Sequence, residues 1–262
     1  MYHEKGALVK EKTSVTGSSN WGLVVVDMQN DFLAAAGYYS QRKNLDERVD
    51  RGRLTLERRN RLLSQPCPAP PGRFRYRVKS LRAIVTNICR VIEYAKKQRR
   101  PIVYLQAGYG REFDAQPPFL RQEPDRQHYP GKPGSWGAAL IEPITRLIAA
   151  GHSTVNEMVI EKHTFDGFFQ TRLRQFLRER QVETVVIVGV ETHVCVMATA
   201  QSASINQFKT IILEDCIWTA REDLGQGALA IFRDAFGSTA RAEKLFNYRA
   251  SLNNPKDRTR MK

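Results

Sequence analysis

Three reactive side chains stand close to the C-terminal ends of three apolar, β-branched segments of the chain. They are the carboxylate of Asp27, the ammonium of Lys162 and the thiol of Cys195. Taken singly, each has an ordinary interpretation: a helix cap, a solvated lysine and a small buried side chain. Brought together, they form the set needed for acyl transfer from an amide, because a carboxylate takes the thiol proton and a nearby ammonium favours the thiolate. Cys195 also stands where a predicted helix begins, and a helix dipole lowers the pKa of a thiol at that position.

The hydrophobic pattern around these residues alternates between strand and helix. Apolar runs predict strands at residues 23–26, 102–106, 158–161, 184–190 and 209–213, with a weak edge strand near Thr239. Three- and four-residue spacing predicts helices from Ser80 to before Pro101 and at residues 139–149, 171–180, 194–203 and 225–236. This order predicts an α/β fold, with three αβα layers around a central, mostly parallel sheet. Ligands of such sheets bind outside the carboxyl ends of the strands, so the fold is expected to bring Asp27, Lys162 and Cys195 to one edge.

The composition is that of a globular protein, with 262 residues, 42% hydrophobic and 26% charged. It excludes collagen-like, coiled-coil and fully disordered chains. The apolar runs are much shorter than the ~20 residues of a membrane span, and no apolar leader is visible. The cysteines are Cys67, Cys89, Cys195 and Cys216. They lack C-x-x-C spacing, which argues against a zinc site or a disulfide scaffold and favours a cytoplasmic protein.

The net charge of +14 is concentrated in one region of the chain. Residues 41–82 hold thirteen Lys or Arg against four Asp or Glu, which accounts for +9 of it. We interpret residues 21–250 as a single domain with a basic insertion at about 41–78. A flexible arm over residues 1–20 precedes the domain, and a basic tail over residues 251–262 follows it.

The basic insertion raises the alternative of a nucleic-acid or polyanion binder that kept the fold, because basic clusters attract phosphates. The interleaved aromatic residues of single-strand binders are missing, so nucleic acid is disfavoured. We interpret the insertion instead as a lid-like segment or a subunit contact. Its leucines predict at least one packed helix; they are Leu54, Leu56, Leu62 and Leu63. A catalytically silent scaffold is a further alternative, against which the complete set of reactive groups argues.

Three blocks, VVVDMQNDF, EKHTFDGFF and VGVETHVCV, follow one another between Trp21 and Phe246. In order and spacing they resemble the isochorismatase-like cysteine hydrolase superfamily. The resemblance implies a catalytic triad of Asp27, Lys162 and Cys195 on a parallel sheet between helices. It also implies a cis peptide bond between Val190 and Glu191, which aims the backbone N–H groups of Glu191 and Cys195 at the substrate oxyanion. Relatives of this fold are homo-oligomers, so a dimer or tetramer is expected.

Further segments resemble the ureidoacrylate amidohydrolase and biuret hydrolase branch: AAAGYYSQR, YLQAGYGREF and GKPGSWGAALIEPI. Enzymes of this branch cleave a carbamoyl or ureido group from a small molecule. By this resemblance, six residues border the substrate, namely Gln29, Gln106, Tyr109, Trp136, Phe165 and Phe168. Two departures are visible: Ala107 stands where the family has a substrate-contacting asparagine, and Glu191 places a carboxylate beside the oxyanion turn.

Nicotinamidases of the superfamily hold a metal ion through histidines in the segment that reads LQAGYGREFDAQ here. Because this segment has no histidine, we expect neither a metal nor another cofactor. The sequence thus predicts a metal-independent cysteine amidohydrolase that opens an amide, carbamoyl or ureido C–N bond through a thioester on Cys195. A hydrolase of the same fold with another small substrate stays open as an alternative.

Overall fold

The computed structural model describes residues 20–55, 57–58, 61, 75–109, 130–150 and 156–246. Of the predicted arm over residues 1–20, only Asn20 lies among them, and the predicted tail over residues 251–262 lies outside the described residues. Residues 62–74 of the predicted insertion and most of the predicted loop over residues 108–135 also lie outside them.

The described residues form a six-stranded sheet at the centre of the fold. All of its strands run parallel, in the order β3-β2-β1-β4-β5-β6. The strands are β1 (Trp21–Val26), β2 (Ile102–Ala107), β3 (Glu157–Lys162), β4 (Thr184–Val190), β5 (Lys209–Trp218) and β6 (Ser238–Ala240). The predicted α/β fold with a parallel central sheet is therefore confirmed.

Helices cover both faces of the sheet. They are α1 (Asn30–Leu33), α2 (Tyr38–Asp50), α3 (Ser80–Lys97), α4 (Glu142–Ala149), α5 (Leu173–Glu179), α6 (Met197–Ile205), α7 (Glu222–Ala235) and α8 (Ala242–Phe246). Because strand side chains alternate between faces, Leu23 and Val25 pack under α3, α4 and α8, whereas Val24 and Val26 pack under α5, α6 and α7. None of the helices in the described part of the chain has both the length and the apolar character to cross a membrane.

The two central strands, β1 and β4, approach each other very closely at their C-terminal ends. Val26 pairs with Gly189, whose φ is 127°. A Cβ at position 189 would overlap the carbonyl oxygen of Val26, so only glycine fits this pairing. As a result, Asp27 and Val190 stand level at the same edge of the sheet.

Strand β5 is longer than the predicted segment over residues 209–213, and this corrects the placement of two residues. Asp215 and Cys216 follow the predicted segment in the sequence, but both lie within the strand. The Asp215 carboxylate accepts a hydrogen bond of 2.8 Å from the Ala242 N–H, and its carbonyl accepts one of 2.9 Å from the Asn87 side chain. Asp215 therefore ties β5 to α8 and α3.

Helix α2 begins just before the predicted insertion and forms its first ten residues. Tyr38, at the start of the helix, is only 1% exposed, and Leu54 packs against it. The helix is held in place by the buried carboxylate of Asp31, which accepts hydrogen bonds from the N–H groups of Tyr38 (3.1 Å) and Gly131 (2.9 Å). The first part of the insertion is thus integral to the domain.

Replacing Gly137 with alanine is expected to lower the free energy of unfolding by about 2–4 kcal/mol. A Cβ at this position would overlap both carboxylate oxygens of Asp31 and drive them away from their two N–H donors. The matched control is Gly227→Ala in α7, where a Cβ meets nothing within 4 Å. There, helix propensity predicts a gain of up to about 1 kcal/mol. Urea denaturation measures both, and equal stability of the two variants would contradict the prediction.

Candidate active site

The three predicted reactive groups meet at the topological switch point of the sheet. The strand order reverses between β1 and β4, which creates a crevice outside the carboxyl ends of these strands. Asp27 follows β1 with a left-handed backbone, φ 50°. The peptide bond between Val190 and Glu191, at the end of β4, is cis, at the position that the resemblance implies. A π-helical turn over Thr192–Val196 follows and carries Cys195 into the crevice.

Asp27 and Lys162 form a buried ion pair in this crevice. Lys162 Nζ lies 2.9 Å from Asp27 Oδ2, and the two side chains are 0% and 1% exposed. The ammonium also donates a hydrogen bond of 3.0 Å to the Thr164 carbonyl. Strand β2 separates β1 from β3, so the lysine reaches Asp27 from the end of a strand that is not adjacent to β1. Each buried charge depends on the other for compensation.

Cys195 completes the group, and Tyr109 joins it. The thiol-bearing side chain is 5% exposed, and its Sγ lies 3.6 Å from the Tyr109 hydroxyl. The centre of the Tyr109 ring lies 5.7 Å from Lys162 Nζ, within the range of a cation–π contact. Tyr109 therefore contacts both the thiol and the ammonium, and it lies where the resemblance places a residue that borders the substrate.

The charges of the site determine which group holds a proton at rest. Burial, and then the charge of Asp27, raise the pKa of the Cys195 thiol to about 12, although Lys162 opposes the shift. The prediction that this position lowers the thiol pKa is therefore wrong, because desolvation and the charge of Asp27 outweigh the effect of the ammonium. Burial also raises the pKa of Asp27, against the effect of Lys162.

The pKa of Lys162 shifts in the direction opposite to the one that burial alone would cause. Desolvation lowers the pKa of the lysine, but its interactions with Asp27, and then with Cys195, outweigh desolvation, and the net shift is upward. These shifts favour an ammonium on Lys162 and a protonated thiol on Cys195. Because the pKa of Asp27 is raised, its carboxylate is a stronger base than an exposed aspartate.

Two predicted substrate residues, Gln29 and Gln106, are engaged by the backbone. The Gln29 amide nitrogen donates to the carbonyls of Ala107 (2.8 Å) and Ala138 (2.7 Å), and its oxygen accepts from the Ala107 N–H (2.8 Å). The Gln106 amide nitrogen donates to the Ala138 carbonyl as well, at 2.7 Å. These two side chains therefore fasten the segment around Ala138 to the end of β2.

The three predicted aromatic residues separate into different surroundings. The Phe165 ring packs edge-on against Tyr109, with centroids 6.2 Å apart, and so lies next to the group formed by Asp27, Lys162 and Cys195. Phe168 is buried against Phe208 in the core beneath α5 and α6. Trp136 packs against Tyr38 and Leu54. Phe165 therefore packs on Tyr109, the residue whose hydroxyl lies beside the thiol.

The structure adds residues that the sequence did not single out. Tyr39, near the start of α2, lies so close to Cys195 that the thiol, after burial, is the second cause of an upward shift of the tyrosine pKa. Arg77 pairs with Glu191 at 3.4 Å, and the Glu191 carboxylate also accepts a hydrogen bond of 3.0 Å from the Ala220 N–H. Glu191 therefore turns its charge toward Arg77 and Ala220. The basic run over residues 41–82 contains many arginines, and nothing in it distinguishes Arg77.

The two histidines that follow Lys162 and precede Cys195 in the chain bind neighbouring oxygen atoms. His163 Nδ1 donates to the Gly108 carbonyl at 2.6 Å, and His193 Nδ1 lies 2.8 Å from the Thr219 hydroxyl. Within the described ranges, no three His, Cys, Asp or Glu side chains come together in a way that could hold a metal ion. The donor set that a metal centre needs is therefore not formed by these residues.

Comparisons with known proteins identify the family of the chain and agree with its fold. The ureidoacrylate amidohydrolase RutB of Yersinia enterocolitica is 23% identical over 239 residues, which cover 86% of this chain and 87% of that protein. The N-carbamoylsarcosine amidase of Thermoplasma acidophilum superimposes with a TM-score of 0.57 at 23% identity, over 86% of this chain and 97% of that one. The nicotinamidase PncA of Bacillus subtilis gives a TM-score of 0.63 at 19% identity, over 85% and 99%. The model of the isochorismatase domain matches residues 22–244, and the chain therefore belongs to the isochorismatase family.

Proposed function

We propose that the protein is a cysteine amidohydrolase that cleaves an amide, carbamoyl or ureido C–N bond of a small molecule. The observation that carries this proposal is the assembly of Asp27, Lys162 and Cys195 in one buried group, with the ion pair at 2.9 Å. The names of the matched relatives, an amidohydrolase, an amidase and a nicotinamidase, support the same reaction class. The reaction uses only groups of the chain, substrate and water.

The first half of the reaction acylates the enzyme. As Sγ of Cys195 attacks the carbonyl carbon, its proton passes to the Asp27 carboxylate, so no thiolate has to be formed beforehand. The Lys162 ammonium and the Tyr109 hydroxyl stabilise the negative charge that develops on sulfur. The oxyanion of the tetrahedral intermediate binds the backbone N–H groups of Glu191 and Cys195. The C–N bond then breaks, and the leaving ammonia or amine takes the proton from Asp27.

The second half releases the acyl group. Asp27 is again a carboxylate and removes a proton from a water molecule, whose oxygen attacks the thioester carbon. The C–S bond breaks, the product acid departs, and the proton held by Asp27 returns to sulfur. One water is consumed for each ammonia or amine released, and the enzyme returns to its resting protonation state.

Ammonia release across a panel of small amides tests this proposal. The panel contains ureidoacrylate, biuret, N-carbamoyl amino acids, nicotinamide and simple aliphatic amides, each supplied to the full-length protein. We expect turnover of at least one carbamoyl or ureido compound. Folded protein that releases no ammonia from any member of the panel would contradict the proposed reaction class.

Replacing Tyr109 with phenylalanine is expected to lower kcat about tenfold and to leave KM nearly unchanged. Burial and the neighbouring Cys195 hold the pKa of Tyr109 well above its usual value, so its hydroxyl is a neutral donor to the developing thiolate. Loss of one such hydrogen bond corresponds to about 1–1.5 kcal/mol, which is roughly a factor of ten in rate. Steady-state kinetics measure the change.

The control for this variant is Tyr94→Phe. Tyr94 belongs to α3, and its ring stacks on that of Trp21 in β1, with centroids 6.3 Å apart, outside the site. Its kcat is expected to equal that of the wild type. If Tyr109→Phe were as active as Tyr94→Phe, the hydroxyl would have no part in stabilising the sulfur.

A further inference from the structure

The first residue beyond strand β2 is held by residues at the end of strand β3. The Gly108 N–H donates a hydrogen bond of 2.8 Å to the Lys162 carbonyl, which continues the pairing of the two strands past Ala107. The Gly108 carbonyl accepts a hydrogen bond of 2.6 Å from His163 Nδ1. Both backbone polar groups of Gly108 are therefore bound by two consecutive residues, the last of β3 and the one that follows it.

The imidazole of His163 donates this second bond. A carbonyl oxygen can only accept, so Nδ1 carries the proton that it shares with the Gly108 carbonyl. Glu161 Oε1 lies 3.9 Å from the same nitrogen, which is beyond hydrogen-bonding distance. The imidazole is 25% exposed, whereas Lys162 is fully buried. A substitution of His163 is therefore expected to leave the buried pair of Lys162 and Asp27 in place.

The residue that these bonds place is Tyr109. It follows Gly108 directly, is 2% exposed, and its hydroxyl lies 3.6 Å from Cys195 Sγ. Because the hydroxyl is at the tip of a long side chain, a small rotation of the backbone at Gly108 displaces it strongly. Gly108 has no Cβ to restrict such a rotation, so its conformation depends on the hydrogen bonds that it makes. The bond from His163 therefore bears on the distance between the hydroxyl and the thiol.

We propose that His163 is a positioning residue for the nucleophile: its Nδ1–H fixes the Gly108 carbonyl and thereby holds the Tyr109 hydroxyl against Cys195 Sγ. This role rests on the proposed amidohydrolase function, in which the hydroxyl stabilises the negative charge that develops on sulfur. His163 acts through Tyr109 and exchanges no proton with the substrate. Its loss is therefore expected to reproduce the effect of losing the Tyr109 hydroxyl and to add nothing to it.

A double-mutant cycle between His163→Leu and Tyr109→Phe tests this coupling. We expect His163→Leu alone to lower kcat about fivefold and to leave KM nearly unchanged, because a displaced hydroxyl loses most of its hydrogen bond to the sulfur. In the Tyr109→Phe background, the same substitution is expected to change kcat by less than about twofold. Equal losses in the two backgrounds would show that His163 acts independently of the hydroxyl and would overturn the proposal. His163→Ala takes the place of His163→Leu if the leucine variant does not fold.

Two further variants separate the hydrogen bond from packing. His163→Asn presents an amide N–H at about the same distance from the backbone as Nδ1, so its kcat is expected to recover to within about twofold of the wild type. Asn156→Leu is the matched control. The Asn156 side chain donates to the Arg99 carbonyl at 3.3 Å, and these residues precede the opposite ends of the same two strands. This control is expected to retain full turnover. An asparagine variant as slow as the leucine variant, or an equal loss in Asn156→Leu, would assign His163 a general packing role and contradict the proposal.

Alkylation of Cys195 provides a readout that does not require turnover. The hydrogen bond from the Tyr109 hydroxyl lowers the pKa of the thiol, so loss of this contact reduces the thiolate fraction and slows the reaction with iodoacetamide. Mass spectrometry of the peptide that contains Cys195 measures the rate at pH 9. We expect the rate to fall about threefold in His163→Leu and in Tyr109→Phe, and no further in the double variant. Alkylation of His163→Leu at the wild-type rate would overturn the proposal.

Failure of this inference differs from failure of the proposed function. If the wild type releases ammonia from the panel and His163→Leu is equally active, the amidohydrolase stands and the positioning role is wrong. If no compound is hydrolysed but the alkylation of Cys195 slows equally in His163→Leu and Tyr109→Phe, the positioning role stands and the reaction class is wrong.

Discussion

Cys195→Ala is expected to lower kcat by about 10⁴-fold or more on any compound that the wild type hydrolyses, because no covalent route remains without the nucleophile. The substitution removes one buried sulfur atom and leaves the Asp27–Lys162 pair intact, so the variant is expected to fold. Ammonia release under saturating substrate measures the loss. Turnover near the wild-type rate would contradict the assignment of the nucleophile.

Cys216→Ala provides the matched control, since Cys216 is also a fully buried cysteine but lies in β5 and packs in the core. We expect its kcat to stay within about twofold of the wild type, because it touches no reacting group. Acid quenching of the wild type during turnover, followed by mass spectrometry, is expected to show the acyl group on the peptide that contains Cys195. An acyl group on any other residue would identify a different nucleophile.

The pH dependence follows from the same assignment. The pKa of Cys195 is about 12, so the thiol is protonated throughout the neutral range and requires Asp27 as base. The pKa of Asp27 is raised above its ordinary value of 3.8, so its carboxylate gains a proton earlier on acidification than an exposed aspartate does. Activity is therefore lost as the pH falls through this raised pKa.

The strands of the sheet could be predicted from the sequence wherever a continuous apolar run marks the whole strand. Strand β4 spans Thr184–Val190 as predicted, because a continuous β-branched run suits a strand buried on both faces. A packed helix was expected in the insertion, but the bounds of helix α2 were not predicted, because its polar sequence has no apolar period. The second half of β5 was missed because charged residues interrupt the apolar run, yet backbone pairing with β4 continues to Trp218.

The sequence could predict that Asp27, Lys162 and Cys195 lie together, but it could not predict where the neighbouring side chains point. Parallel strands place their carboxyl ends together whatever the side chains are, so Asp27 and Lys162 had to approach one another. The amides of Gln29 and Gln106 instead bind backbone carbonyls from a segment about thirty residues or more away. Such partners depend on tertiary packing, and the local sequence contains no trace of them.

Lys162→Met is expected to abolish turnover, with kcat lower by about 10³-fold or more, and to destabilise the protein by about 3–5 kcal/mol. The substitution leaves the Asp27 carboxylate, 1% exposed, without its compensating charge. In the wild type the Lys162 ammonium lowers the Asp27 pKa. Without this ammonium the Asp27 pKa rises further, and the carboxylate takes up a proton instead of acting as a base. Urea denaturation and ammonia release measure the two effects.

The destabilisation of Lys162→Met has a definite dependence on pH. A protonated Asp27 is neutral and tolerates burial, so the loss of stability is expected to be smaller at pH 5.5 than at pH 8. Lys96→Met serves as the control, because Lys96 forms a comparably short pair of 2.7 Å with Glu157, away from the crevice. That variant is expected to retain full turnover. A Lys162→Met protein of wild-type stability at both pH values would contradict a buried, mutually dependent pair.

The double variant Asp27→Asn/Lys162→Met separates the two roles of the ion pair. It contains no buried charge at this position, so its stability is expected to recover to within about 2 kcal/mol of the wild type or to exceed it, as neutral replacements of buried ion pairs often do. Its turnover is expected to stay as low as that of Lys162→Met, because neither base nor ammonium remains. Recovered stability without recovered turnover means that the pair is kept for its chemistry, since a neutral pair would serve the fold as well. Unrecovered stability would instead assign the pair a structural role.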